Sequence, residues 1–122
     1  MRPRYPNEPL PLILGYELSG IVEAIGPGVL GFTPGEEVYG ATSNQLTGAY
    51  AEYSVPSAKM MAPKPKSLNF IEAASAPVVT VTAWQMLFDY GQVTDGQTVL
   101  IHGAAGNVGG YAVQLASQPV FM

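Results

Sequence analysis

The sequence contains no cysteine, which removes disulfides, thiolate zinc sites and a thiol nucleophile. It has one histidine, His102, and a single imidazole cannot build a metal site by itself. Basic residues are scarce: Arg2, Arg4, Lys59, Lys64 and Lys66 are the full set, against nine acidic residues, for a net charge of −4. So few scattered cations cannot form the basic stripe that nucleic acid requires, and nucleic acid is excluded as a partner. Charged residues are only 11% of the chain, well below the usual quarter. The 48% apolar content rules out a disordered chain and supports a packed core. The uncharged stretch Ala73–Phe88 is too short to span a bilayer and carries Pro77, Thr80, Thr82 and Gln85, so no membrane partner is expected. Four prolines and two arginines in residues 1–11 do not read as a signal peptide, and absence of cysteine suits a reducing, cytoplasmic setting.

What is present divides near residue 70. The first part, residues 1–70, reads as short strands between Gly/Pro turns: Ser19–Ile25, closed by Gly26-Pro27-Gly28, then Glu37–Tyr39 and Gly48–Val55. Met60–Lys66 carries Pro63 and Pro65, so it is extended but cannot be a central strand. This pattern predicts a small barrel or sandwich. Residues 71–122 are different in kind. The spacing predicts a helix over Ile71–Ala76 capped by Ser67 or Asn69, and a second over Val79–Tyr90 ending at Gly91 as a C′ glycine. Then come a turn at Asp95-Gly96, a short buried strand Thr98–His102, and a helix Val108–Ser117 with Val113 and Ala116 on its apolar face. Pro119 stops that helix. The fold class is therefore mixed α/β: a β-rich part, then one strand–loop–helix.

The loop of that last unit carries the chemistry. A pyrophosphate needs backbone N–H groups brought close without side chains in the way, and the positive end of a helix dipole. Small residues at Ala104, Gly106 and Gly109 sit at the spacing at which dinucleotide folds make a tight turn, admit the phosphate and pack helix on strand. The frame Gly103, Gly106, Gly109 is one residue looser. A plain strand-to-helix turn is the ordinary alternative; the flanking strand and helix favour phosphate binding. No Lys-Ser or Lys-Thr follows the last glycine, which rules out a kinase-type phosphate loop.

Several ordered segments resemble the zinc-independent medium-chain dehydrogenases/reductases, a family that includes quinone oxidoreductases and enoyl reductases. The segments are Gly15-Tyr16-Glu17-Leu18-Ser19-Gly20-Ile21-Val22, Gly31–Gly40, Gly48-Ala-Tyr-Ala-Glu52 and Thr82-Ala83-Trp84, in register with the glycine-rich loop. The resemblance runs from about Leu12 to Ala116. It implies the later part of a GroES-like substrate domain, followed by the first strand–loop–helix of a nucleotide-binding Rossmann domain. It also implies NADPH as cofactor, with NAD not excluded, and hydride transfer to a quinone or an α,β-unsaturated carbonyl compound. Zinc-dependent relatives have histidine just before the glutamate; Tyr16 stands there, so no zinc is expected. Cofactor contacts are expected from Thr82, Ala104, Ala105, Gly106, Asn107, Val108 and Gly109, with Thr82 near the nicotinamide ring. Family strands should precede residue 1, and the residue that selects NAD or NADP should lie past Met122. The competing reading is a non-catalytic remnant or interaction module that keeps the family's local motifs, and self-association is compatible with either.

Single residues have plainer readings too. Thr82 can equally bond its own helix backbone. Glu17 reads first as a buried structural acceptor, His102 as a core histidine, and Tyr16 and Tyr50 as packing groups. Trp84 reads as a helix anchor against the other domain, while Asp89 and Asp95 read as solvated. No residue presents itself as a carbonyl-polarising acid.

Overall fold

A computed structural model of the chain describes residues 11–42 and 47–118. The expected helix stop at Pro119 lies outside the described residues. The chain divides into two compact units, Met1–Ala74 and Ser75–Met122.

The first unit holds one antiparallel sheet with the order β1 (Glu17–Ile21), β2 (Glu37–Ala41), β3 (Met61–Pro63). Glu17 pairs with Ala41 and Ile21 with Glu37; on the other side Val38 pairs with Pro63 and Gly40 with Met61. β1 starts two residues before the expected Ser19 and stops four before Ile25. The partner explains the stop. The turn ahead of β2 is closed by the Gly35 amide on the Val22 carbonyl (2.8 Å), and the Val22 amide bonds the Glu36 carbonyl (2.9 Å), so residues 23–25 face no strand. β3 occupies an edge, where Pro63 removes a donor at no cost to the ladder. At Gly40 a side chain would meet the Met61 sulfur at 2.8 Å and overlap the Met60 carbonyl.

Gly48–Val55 is not a strand. Its amides at Gly48, Ala49 and Tyr50 donate in succession to the carbonyls of Ile13, Gly15 and Leu14, each at 2.9 Å. An antiparallel ladder uses alternate residues on one side, so three consecutive donors mark a crossing rather than a pairing. Among the described residues there is one sheet, not the expected sandwich or barrel. A short helix α1 (Phe70–Ala74) packs on β1 and β2 and places Ala73 in the core with Val38 and Ala41. Asn69 caps α1 reciprocally: its Oδ1 accepts from the Glu72 amide and its own amide donates to Glu72 Oε2, both at 2.9 Å. Lys64 fastens the approach to the helix. Its Nζ donates to the Leu68 carbonyl (2.5 Å), pairs with Glu37 Oε2 (3.1 Å) and lies 5.2 Å from the centre of the Phe70 ring.

The second unit is helical. Pro77 opens α2 (Pro77–Trp84) at a first-turn position where its missing N–H is not needed. The helix then widens into a π-helical stretch, Gln85–Tyr90. Gly91 does not act as a left-handed cap: it keeps helical angles (φ −75°, ψ −22°), and Gln92 takes the left-handed conformation at φ 49°. The π turn brings the Met86 and Leu87 carbonyls within 2.7 and 2.8 Å of any Cβ at position 91, so Gly91 is required for close approach. The last element is α3 (Asn107–Ala116). Its packed face is Val108, Tyr111, Ala112 and Leu115, which meet Ala83 and Leu87, while Val113 is 44% exposed and Ala116 is also exposed. The expected Val113–Ala116 face is thus corrected; positions spaced by three and four residues from Val108 form the stripe. Gln114 is exposed.

Thr98–His102, expected as a strand, is irregular chain that runs into the turn at residue 102 and belongs to no sheet among the described residues. Leu100 is 81% exposed, and Ile101 alone turns to the core of this unit. The segment has the composition of a buried parallel strand, but burial of such a strand depends on neighbours on both sides.

Candidate functional site

The glycine-rich loop is built from turn outward. Residues 102–105 form the turn, and Gly103 sits at φ +73°, a conformation that costs an L side chain about 1–2 kcal/mol. The Gly106 amide donates to the Gly103 carbonyl (2.9 Å) and closes it. Gly106 is the N-cap of α3 in extended geometry (φ −86°, ψ 170°), and its carbonyl accepts the Gly110 amide at 2.8 Å. No side chain caps this helix end. The leading amides of a helix have no partner within it, so the first turn of α3 offers donors at the positive end of its dipole.

Gly109 fixes the approach of helix to loop. A Cβ there would overlap the Gly103 carbonyl oxygen and lie 2.7 Å from the Gly103 carbonyl carbon and 2.9 Å from Ala104 Cα. These are backbone atoms and cannot step aside. The positive φ of the turn falls on Gly103, one residue before Ala104. Gly103 belongs to the looser of the two spacings. Ala104, Ala105, Gly106 and Asn107 are exposed; Val108 is half-buried against the helical core and can offer only its amide outward. No lysine or arginine follows Lys66, so neither can supply positive potential in this unit; amides and dipole remain.

Thr82 is half-buried on α2, and its hydroxyl donates to the Val78 carbonyl at 2.7 Å. The helix backbone therefore takes its proton, and the oxygen keeps acceptor capacity. Two residues earlier, Thr80 Oγ1 is buried with no hydrogen-bond partner among the described residues. Trp84 packs at a tilt against Phe88 of the same unit, with ring centres 4.7 Å apart and an interplanar angle of 60°. His102 is exposed, not a core histidine, because it falls on the turn 102–105 and not on a buried strand. Asp89 is exposed, as is Asp95 in its turn.

In the first unit Glu17 and Tyr16 are half-buried, and Glu17 lines an open apolar groove beside β1. The Tyr50 ring lies across Gly15, where a Cβ would come within 2.6 Å of Tyr50 Cε1, and the ring remains 79% exposed. Gly15 also sits at φ +80°, so the conformation and the ring both select glycine. Among the described residues no cluster of three His, Cys, Asp or Glu side chains could hold a metal ion, and no helix is long and apolar enough to cross a membrane.

Comparison with known proteins adds to this geometry. Residues 1–66 match the model of the alcohol dehydrogenase GroES-like domain. The chain is 41% identical over 113 residues to the human mitochondrial NAD(P)H oxidoreductase RTN4IP1, covering 89% of this chain and 28% of that protein. It superimposes on the quinone oxidoreductase from Coxiella burnetii with a TM-score of 0.80 at 40% identity, covering 88% of this chain and 34% of the other. Mycobacterial Rv1454c, solved in complex with NADPH, gives a TM-score of 0.80 at 38% identity, over 93% of this chain and 35% of its own. The chain spans about a third of the length of these relatives.

Proposed function

Because the chain belongs to the alcohol dehydrogenase GroES-like domain family, within the medium-chain dehydrogenases/reductases, we propose that it carries the pyrophosphate-binding loop of an NADPH-dependent oxidoreductase. The reaction is reduction of a quinone or an α,β-unsaturated carbonyl compound. The cofactor supplies the hydride; the protein binds and orients it. Asn107, Val108 and Gly109 offer backbone amides to the pyrophosphate, Gly106, whose own amide closes the turn on the Gly103 carbonyl, lets the phosphate approach, and Ala104 and Ala105 keep the approach clear of large side chains. Thr82 lines the nicotinamide side, where its hydroxyl oxygen accepts rather than donates.

The observation that carries this reading is the Gly103–Gly109 contact, which seats an uncapped helix end directly behind a turn of small residues. With no cysteine, one histidine and Tyr16 ahead of Glu17, this stretch of chain offers no zinc ligand set of its own. A cysteine-free chain suits the cytoplasm. Titration of Trp84 fluorescence with NADPH tests the assignment: weak, saturable quenching is expected, lost in Gly109→Ala. Quenching that is linear and unchanged in the variant would remove the cofactor site.

A further inference from the structure

We draw no further inference here: the strongest candidate, the open apolar groove of the first unit between β1 and residues 51–56, lined by Ile21, Ile25, Val29, Phe32, Tyr53 and Val55, carries nothing because nothing in the structure shows what covers it.

Discussion

Two glycines and one glutamine carry the residue-scale consequences. Gly109 has no room for a methyl group against the Gly103 carbonyl, so Gly109→Ala must push α3 off the loop. Overpacking of this kind costs about 1–3 kcal/mol, read as a lower urea midpoint. Gly103→Ala should cost about 1–2 kcal/mol through its positive φ. Ala104→Gly, one residue along, should cost less than either, because position 104 makes no such demand. Equal losses at 103 and 104 would favour the Ala104 frame. Gln92 is the converse case. It holds φ 49° with a side chain, so Gln92→Gly should raise stability by about 0.5–1 kcal/mol, the strain relieved less the added freedom of the unfolded chain. A lower midpoint for Gln92→Gly would show that the conformation is unstrained.

At the scale of elements, α1 depends on contacts from both neighbours in sequence and distant ones. Asn69→Ala removes half of a reciprocal cap and should cost about 1 kcal/mol. Lys64→Met keeps the stem but loses the bond to the Leu68 carbonyl and the pair with Glu37, whose side chain is 52% exposed. The exposed partner limits the ion pair, so a loss of about 1–2 kcal/mol is expected, most of it from the carbonyl bond. A salt titration separates the two: stability of Lys64→Met should fall less with salt than that of the parent chain, and an identical salt response would show that the pair contributes nothing. These elements also show what sequence made legible. The cap at Asn69, the edge position of Met61–Pro63 and the loop at 103–109 were all readable, because each depends on residues within a few positions of one another. The Lys64 clip joins β2 to the start of α1 across 26 intervening residues and leaves no local mark. The π turn at Gln85–Tyr90 likewise has no periodic signature, and the Gly91 that it requires has the same local appearance as an ordinary C′ glycine. The face of α3 was misplaced because Val113 and Ala116 are apolar, yet α2 meets Val108, Tyr111, Ala112 and Leu115.

For the whole molecule the core is thin. The buried apolar residues described are five alanines, Val38 and Leu87, and no large side chain is fully buried. Leu87 is the largest of them in the second unit, so Leu87→Ala, worth about 2–5 kcal/mol, should unfold that unit while the β1–β3 sheet persists. Loss of helical circular dichroism with retained exchange protection at β2 is the expected signature. Hydrogen exchange of the parent chain should be slow at Val38 and Tyr39 and fast across Thr98–Ile101, where no ladder protects the amides. Slow exchange across Thr98–Ile101 in a confirmed monomer would mean that this segment is a paired strand. The same lack of neighbours explains why Thr98–His102 could be read as a buried strand from composition and yet leaves Leu100 in solvent: composition records what an element is suited to, while burial depends on what packs beside it. The central claim is that the first turn of α3 is a pyrophosphate site. It is tested most directly by a backbone-amide NMR titration of the chain with NADPH. The account predicts that the largest shifts fall on Gly106, Asn107, Val108 and Gly109 and vanish in Gly109→Ala; shifts centred elsewhere, or undiminished in that variant, would contradict it.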